Sequence, residues 1–507
     1  MKRIPVLTKE TDRYVIVLMN NIDQSRYEIH LQGKSEGKHF AVYTRYNLLD
    51  ERGNVISNNP ITLDAGEFLI KNFEYKGDTE SFHIYETDLS QKKVGNRQNV
   101  KIDPSSIRHK LTVQEDNFTA TGAKLRYHWP IFRKYAETGY GSIIRATMTN
   151  HQVCSSRCHY CSTILRNKKD SVSLDEAKTF IQKLYFQQAD YNKQYFQEYN
   201  DLYKKMTGTD IRLKGLILSG GGQPNLWPHF SEFVRWLSEL DIDLGLITNG
   251  FPKYINEEIY THFKWIRISI TPEDASPHYK NGQFNQQYLP KTILNNSDIA
   301  VGLSYVYGPW TDDDILKRIH SAMKDFGMDY CRMLTDCNLT RNAQLLAHHD
   351  LAERLFRLGY MDEKGWPLAK IFHQLKYHGT KKEAQELWNG GQCYLQTYNV
   401  FWDTTDHDKN GFSYCYPCDS VTVLSEEQSD GNVDVSERKF NAQKWGTVRN
   451  VEVEKLFKEK VKAFFDPREI CSACLFMRNN RCARDLIEQR EYAPVENDLS
   501  LLHVNFP

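Results

Sequence analysis

The chain has 507 residues, and its 65 Lys and Arg residues balance 65 Asp and Glu residues, so the formal charge is zero. This balance argues against bulk nucleic-acid binding, which needs a broad positive field. Hydrophobic residues at 40% and charged residues at 26% are typical of a folded protein with large cores. No apolar run approaches the roughly 18 residues of a membrane span, and the charged start is unlike a signal peptide. We therefore expect a cytoplasmic protein that binds no membrane.

The first part of the chain, residues 1–110, predicts a β-rich accessory domain. Apolar and polar residues alternate in segments 14–18, 27–31 and 40–44, with turn signals between later candidate strands. The domain contains no cysteine and no cofactor motif. Substrate docking and a purely structural cap are therefore both open interpretations.

Residues 140–340 alternate between strand and helix patterns. The candidate strands are residues 142–149, 213–219, 244–248, 265–270, 300–307 and 330–334. Six β/α units in series predict a parallel α/β sheet. Because such sheets carry their sites at the carboxyl ends of the strands, we expect chemistry in the loop after the first strand.

The eleven cysteines all lie after residue 153, and most are in tight groups. In a long chain of this kind, such groups favour metal or iron–sulfur ligation over a disulfide framework. Three of them, Cys154, Cys158 and Cys161, directly follow the first predicted strand. Three thiolates can each bind one iron of a cubane cluster and leave the fourth iron for an external ligand.

This loop resembles the signature of the radical S-adenosylmethionine (radical SAM) superfamily, C-x3-C-x-aromatic-C, with Tyr160 at the aromatic position. The resemblance covers residues 140–336 and implies a partial (β/α)6 TIM-like barrel. It also implies a [4Fe–4S] cluster bound by the three cysteines, S-adenosylmethionine (SAM) as cofactor and an external one-electron reductant. The expected activity is reductive cleavage of SAM to a 5′-deoxyadenosyl radical, which abstracts hydrogen from the substrate.

Further cofactor contacts are implied at the ends of the second, third and fourth predicted strands. The segment that closes the second strand is similar to the family's Gly-Gly-Glu-Pro segment, which holds the methionyl amino group of SAM. Gln223 stands where glutamate is usual and replaces a charged acceptor by a neutral amide. The candidate cofactor-binding residues are Tyr160, Ser219, Gly220, Gly221, Gly222, Gln223, Asn249, Arg267 and Ser269.

Residues 341–390 predict a helical bridge, and residues 391–507 predict a small cysteine-rich metal domain. The stretch 400–418 resembles the C-terminal SPASM and twitch extensions, in which such a hairpin supports an auxiliary [4Fe–4S] cluster. The candidate ligands are Cys393, one of Cys415 and Cys418, and the pair Cys471 and Cys474, with Cys482 as a spare or substitute. Zinc is the alternative, because two C-x2-C pairs also form a tetrahedral four-thiolate site.

Two further cysteines, Cys331 and Cys337, flank the sixth predicted strand. A thiol at that strand end could return a hydrogen atom to a substrate radical, and Cys337 is the better placed because it lies past the strand. The alternative, which we favour, is that these residues are small buried hydrophobes.

Three functional hypotheses follow. The first is a radical SAM enzyme that acts on a peptide or protein by cross-linking, oxidation or epimerisation, because the SPASM-type extension is associated with that substrate class. The second is a radical SAM enzyme that modifies a small molecule or nucleotide. The third, from another class, is a non-catalytic binding protein stabilised by zinc, in which the three-cysteine loop has no evident purpose.

Overall fold

The computed structural model describes the chain in several stretches. These are the strand segments within residues 3–99 and, apart from single-residue breaks, residues 107–161, 171–250, 257–270, 296–336, 341–374, 393–407, 413–418, 452–461, 476–488 and 501–507, together with Ile293.

The first hundred residues form two antiparallel sheets. Their strands are β1 (Arg3–Glu10), β2 (Tyr14–Asn21), β3 (Arg26–Gly33), β4 (His39–Tyr43), β5 (Leu48–Leu49), β6 (Val55–Ile56), β7 (Ile61–Leu63), β8 (Phe68–Glu74), β9 (His83–Thr87) and β10 (Gln98–Asn99). One sheet has the order β1-β2-β3-β8-β5-β6, and the other has the order β10-β9-β4-β7. The alternation in the sequence predicts strands in this part of the chain.

One nine-stranded sheet forms the centre of the described structure. Its strands are β11 (Arg145–Thr149), β12 (Gly215–Ser219), β13 (Asp243–Thr248), β14 (Phe263–Ile270), β15 (Ala300–Tyr307), β16 (Tyr330–Thr335), β17 (Ile371–His373), β18 (Asn399–His407) and β19 (Ser413–Tyr416). The order is β17-β16-β15-β14-β13-β12-β11-β18-β19. All neighbours pair in parallel except β18 and β19, which are antiparallel.

The predicted parallel α/β core is confirmed, because the six expected strands are β11–β16 in their expected order. The sheet does not close on itself, since β17 and β19 are its edges, so it is a partial barrel. Two further parallel strands extend it. One of them, β18, belongs to the segment that the sequence places in a separate C-terminal domain, yet it pairs with β11 from Arg145 to Met148.

The helices that the structure describes lie mostly between these strands. They are α1 (Val113–Phe118), α2 (Trp129–Thr138), α3 (Leu174–Gln182), α4 (Gln188–Tyr195), α5 (Gln197–Thr207), α6 (Phe230–Ser238), α7 (Glu257–Tyr260), α8 (Asp313–Asp325), α9 (Arg341–Arg357), α10 (Lys455–Lys458) and α11 (Met477–Glu488). A π-helical turn, Lys183–Gln187, joins α3 to α4. Among these helices, none combines the length and apolar composition needed to cross a lipid bilayer.

The two faces of the sheet have different environments because side chains alternate along each strand. Ile266, Ile268 and Ile270 of β14 belong to the main apolar core, which also includes residues of α3, α6, α8 and α9. Trp265 lies on the opposite face and packs in a smaller cluster with Ile217 and Phe506.

The segment 501–507 packs on the face of the sheet that carries Trp265, which we call the sheet interior, at the amino-terminal ends of the strands. The Arg145 guanidinium donates to the Pro507 carbonyl over 2.7 Å, and the Asn505 amide donates to an Asp243 carboxylate oxygen over 2.7 Å. A Cβ atom on Gly215 would lie 2.2 Å from the Asn505 carbonyl oxygen, so only glycine permits this approach. A ligand in the sheet interior would therefore bind at the carboxyl ends of the strands.

Candidate active site

The three-cysteine loop follows β11 at the carboxyl edge of the sheet. The Cys161 backbone N–H donates to the Cys158 carbonyl over 3.2 Å, which closes a tight turn. The Ser156 backbone N–H lies 3.4 Å from the Cys154 sulfur and donates to it. All three cysteines are half-buried, as a cluster site accessible to SAM requires.

The donor set of this loop consists of three cysteine thiols. Within the described part of the chain, no three His, Cys, Asp or Glu side chains converge closely enough to hold one ion. A cubane cluster takes each protein thiolate on a separate iron, so three cysteines leave the fourth iron for an external ligand. The donor set and its position thus fit an iron–sulfur cluster with three protein ligands.

The aromatic residue of the motif packs against the end of β15. Tyr160 stacks on Trp310, with ring centroids 5.3 Å apart and planes inclined by 19°. The Trp310 indole N–H donates to the Val306 carbonyl over 3.2 Å. A Cβ atom on Gly308 would lie 2.3 Å from this indole, so the glycine makes room for it. The stack holds the loop against the fifth strand of the predicted core.

The glycine segment after β12 contacts the chain that leads into the cysteine loop. The Gly222 N–H donates to the His151 carbonyl over 3.1 Å, and the Gln223 N–H donates to the Val153 carbonyl over 2.7 Å. A Cβ atom on Gly222 would lie 2.3 Å from the Val153 carbonyl oxygen. Gly222 is therefore required by its contact with the backbone of the loop itself. The cofactor contact predicted for Ser219, Gly220, Gly221 and Gly222 stays a prediction.

The imidazole that precedes the loop is neutral. His151 is buried, and burial lowers its pKa to about 4. A neutral imidazole adds no positive charge beside the cysteines. His151 therefore supports the loop through its backbone and its packing.

Gln223 is buried, and both ends of its amide bind other strand-end residues. Its Oε1 accepts a hydrogen bond from the Asn249 backbone N–H over 2.9 Å. Its Nε2 donates to Thr248 Oγ1 and to Asn225 Oδ1. Gln223 thus joins the ends of β12 and β13, and its predicted cofactor contact stays a prediction.

Asn249 connects the end of β13 to the cysteine loop. Its side-chain amide donates to the hydroxyl oxygens of Ser155 and Ser156, over 3.0 and 2.8 Å. Sequence reasoning placed Asn249 at the site but missed both serines. Their position between Cys154 and Cys158 is the signal that could have found them.

Arg267 binds groups from two other elements of the protein, and its predicted cofactor contact stays a prediction. It is buried, its Nε donates to the Tyr330 hydroxyl over 3.0 Å, and its Nη2 donates to the Phe118 carbonyl. Phe118 in turn stacks on Tyr330 with ring centroids 4.2 Å apart. Thus α1 brings a backbone carbonyl to the sheet interior, where the guanidinium satisfies it.

On the same face of the sheet as Arg267, the side chains one step nearer the carboxyl ends of the strands are polar. Ser269 is half-buried and pairs in register with Ser304 of β15. The Arg332 guanidinium of β16 donates to Ser304 Oγ over 3.1 Å and to Gln374 Oε1 over 3.3 Å. The sequence predicted Ser269 alone. Ser304, Arg332 and Gln374 become recognisable only once the strand register is known.

Cys331 lies on the outer face of β16, away from this interior. Its side chain is fully buried in the main apolar core, and burial raises the pKa of its thiol. This position favours the small buried hydrophobe over the hydrogen-atom donor. Cys337 lies outside the described residues.

Three of the predicted C-terminal ligands contact one apolar cluster. Cys393, Cys418 and Cys482 pack with residues of α2, α5 and α11 in the second core of the described structure. Asn480 of α11 fixes the start of this segment, because its Oδ1 accepts hydrogen bonds from the Tyr394 and Leu395 N–H groups over 2.9 and 3.2 Å. Cys415 lies on β19 opposite Trp402. Cys471 and Cys474 lie outside the described residues.

Comparisons with known proteins give structural neighbours only. No protein-family model and no curated protein matches the chain. Streptococcus suis SuiB bound to its precursor peptide SuiA is 12% identical, with 68% of this chain and 72% of SuiB covered and a TM-score of 0.40. BtrN in complex with AdoMet and 2-DOIA is 10% identical, with coverage of 71% and 97% and a TM-score of 0.29. An archaeal TYW1 is 11% identical, with coverage of 41% and 76% and a TM-score of 0.26.

These neighbours share 10–12% sequence identity with the chain, and their TM-scores lie between 0.26 and 0.40. They do not confirm a SPASM-type extension. Because all three TM-scores lie below 0.5, no residue role is transferred from them. The function of the site is therefore inferred from the residues of this chain.

Proposed function

We propose that the chain is a radical SAM enzyme that acts on a peptide or protein. The observation that carries the proposal is the position of the Cys154–Cys158–Cys161 loop. It lies at the carboxyl edge of an open parallel sheet, and hydrogen bonds tie it to the strand end at Asn249. In a sheet of this kind, ligands bind at that edge.

The residues present fit a [4Fe–4S] cluster and SAM. Three thiols on one loop match the three protein ligands of a cluster whose fourth iron takes an external ligand. When bound, the cluster and SAM supply a 5′-deoxyadenosyl radical that abstracts a hydrogen atom from the substrate. An external one-electron reductant is required for this chemistry.

The chain's own residues orient the reactants and limit the access of water. The Tyr160–Trp310 stack and the Asn249 hydrogen bonds fix the loop, so that a cluster bound to it would be held in one geometry. The polar layer at Ser269, Ser304 and Arg332 offers hydrogen-bond donors and acceptors on strands β14, β15 and β16. The outer helices and the main core exclude solvent from the other face of the sheet.

A peptide or protein is the substrate class that the SPASM-like C-terminal stretch implies. The antiparallel β18–β19 hairpin forms in that stretch, and Cys393, Cys418 and Cys482 pack in one region next to it. We propose that Cys393, one of Cys415 and Cys418, and the pair Cys471 and Cys474 supply the ligands of an auxiliary [4Fe–4S] cluster, with Cys482 as a spare or substitute and zinc as the alternative metal. Among the neighbours, SuiB is the structure bound to a precursor peptide.

Metal analysis tests the assignment of the two cysteine groups. Iron, sulfide and zinc are measured on anaerobically reconstituted wild type and on Cys154→Ala/Cys158→Ala/Cys161→Ala, with Cys331→Ala as the control for loss of a thiol. We expect about eight irons in the wild type and the control and about four in the triple variant, since each [4Fe–4S] cluster contributes about four. If the wild type held about four irons and the triple variant none, with one zinc in both, the C-terminal cysteines would form a structural zinc site. No iron in any protein would overturn the proposal.

The substrate class needs a separate test. Short peptides encoded beside the gene are added to the reduced protein with SAM, and peptide mass and 5′-deoxyadenosine are followed. We expect a peptide to raise 5′-deoxyadenosine formation above the rate without substrate and to change in mass. A small metabolite or nucleotide that does so while peptides do not would replace the peptide class by the alternative.

A further inference from the structure

The hydrogen bonds around Gln223 form a continuous connection from the end of β12 to a cysteine of the loop. We infer that Gln223 and Asn249 are positioning residues, which set the geometry of the three-cysteine loop through Ser155 and Ser156. The inference rests on the proposed function for its chemical meaning, because it assigns these residues to the cluster loop. It differs from the sequence prediction, in which both residues bind SAM directly.

The first link joins two strand ends. The Gln223 side chain is 2% exposed, and its Oε1 accepts the Asn249 backbone N–H over 2.9 Å. Its Nε2 donates to Thr248 Oγ1 and Asn225 Oδ1, two buried oxygens. Because Gln223 uses both a donor and an acceptor inside the protein, its orientation is fixed. Its amide thereby fixes the backbone at Asn249.

The second link joins Asn249 to the loop. With its backbone held by Gln223, the Asn249 side-chain amide donates to Ser155 Oγ and Ser156 Oγ, over 3.0 and 2.8 Å. The Ser156 backbone N–H in turn donates to the Cys154 sulfur over 3.4 Å. The connection thus ends on one of the three candidate ligands. A shift at Asn249 would move the hydrogen bond that the Cys154 sulfur receives.

The neutral amide at position 223 suits this connection better than a carboxylate. An ionised glutamate could still accept from the Asn249 N–H, but it has no donor for Asn225 Oδ1. Two oxygens would then face each other in a buried site, which is unfavourable. The departure from the family's glutamate is therefore explained by the hydrogen bonds of this chain, and glutamate is expected to weaken the loop.

The experiment measures loop order in metal-free protein and cofactor use in reconstituted protein. Alkylation of Cys154, Cys158 and Cys161 by iodoacetamide is followed peptide by peptide in the wild type, Asn249→Ala and Gln223→Glu. Asn200→Ala is the matched control, because it removes two hydrogen bonds, to Asp210 and to the Ile211 N–H, on the outer helix α5. KM for SAM and the EPR signal of the reduced cluster are then measured on the reconstituted proteins.

We expect alkylation to be about tenfold faster in Asn249→Ala, since two hydrogen bonds that hold the loop are lost. Gln223→Glu is expected to accelerate it as well and to shift the EPR signal, while Asn200→Ala behaves like the wild type. Alkylation at the wild-type rate in both loop variants would overturn the inference. A lower KM for SAM in Gln223→Glu with unchanged alkylation would also overturn it, because that result identifies position 223 as a direct SAM ligand.

The two proposals fail in different ways. If the wild type holds no iron, the proposed function fails, whereas the alkylation result on metal-free protein still reports the loop. If the wild type holds iron and cleaves SAM but the loop variants alkylate normally, only the positioning role fails.

Discussion

Tyr160 of the cysteine motif lies parallel to Trp310, at 5.3 Å between ring centroids. This contact joins the loop after the first parallel strand to the end of the fifth, across the interior of the sheet. Aromatic pairs of this geometry contribute about 0.5–1.5 kcal/mol beyond the area they bury. The stack is thus a second attachment of the loop, independent of the hydrogen bonds from Asn249.

We expect Trp310→Ala to lower iron retention and 5′-deoxyadenosine formation several-fold, because Tyr160 loses the surface that holds it beside Cys161. Trp310→Phe should retain most of both, since a smaller ring can still stack. Trp236→Ala is the control, because Trp236 makes a comparable stack on Phe233, at 5.8 Å, on α6. Equal losses in Trp310→Ala and Trp236→Ala would show that the effect is one of general stability.

The two glycines Gly221 and Gly222 should differ in their tolerance of alanine. A Cβ atom on Gly221 meets the end of the flexible Gln152 side chain at 1.7 Å, and that side chain can move. A Cβ atom on Gly222 meets the Val153 carbonyl oxygen at 2.3 Å and the Gln152 backbone at 2.5 Å, and neither can move without the loop. Gly222→Ala should therefore reduce iron incorporation much more than Gly221→Ala, as measured by iron content per chain. A larger loss in Gly221→Ala would contradict this account.

A buried ion pair stabilises the core away from the site. The Arg354 guanidinium is fully buried, lies 3.4 Å from an Asp350 carboxylate oxygen, and donates to the Thr311 carbonyl over 3.0 Å. Arg354→Met would leave Asp350 buried without its cation, so we expect destabilisation of about 3–5 kcal/mol.

Arg357→Met is the matched control for this prediction. Arg357 contacts Asp313 at 3.0 Å but is exposed, so its loss should cost about 0–1 kcal/mol. Thermal unfolding of the three proteins checks the difference. Equal midpoints for the two variants would show that the buried pair adds nothing.

The free energy of unfolding should depend on pH through Lys134. Its Nζ is fully buried and donates to the Gly141 carbonyl and to Asn192 Oδ1, over 2.9 and 2.8 Å. Burial lowers the pKa of Lys134 from 10.5 to about 7. Between these values the unfolded chain binds a proton that the folded chain does not, so stability rises with pH across this window and is constant below it.

Lys134→Met lacks this contribution to the pH dependence. As pH rises from 7 to 10, the unfolding midpoint of the wild type should therefore rise relative to that of Lys134→Met. Lys205→Met, at an exposed position of α5, controls for the loss of one lysine. Parallel profiles for the wild type and Lys134→Met would contradict the prediction.

Local sequence patterns predict the six strands of the core, because each strand is a short apolar run and the segments between the strands have the apolar spacing of helices. They did not predict that β18 joins the same sheet, because its partner β11 lies more than 250 residues earlier and the pairing depends on tertiary packing. For the same reason residues 399–407 were assigned to a separate domain.

The cysteine loop was recognised because its spacing is a local feature of the sequence. The intraprotein contacts of Gln223 and Arg267 are not local features, because their partners come from other elements: Asn249 for the former, and Phe118 and Tyr330 for the latter. Position in a motif thus indicated which residues lie near the site. It does not indicate which groups of the chain they contact.

The formation of 5′-deoxyadenosine and methionine from SAM tests the central claim most directly. Anaerobically reconstituted protein is reduced with dithionite and incubated with SAM, and both products are measured. We expect the wild type and Cys331→Ala to form them in near-equal amounts and the Cys154→Ala/Cys158→Ala/Cys161→Ala variant to form neither. A wild type that carries a reducible [4Fe–4S] cluster and yields no 5′-deoxyadenosine would contradict the assignment of this chain as a radical SAM enzyme.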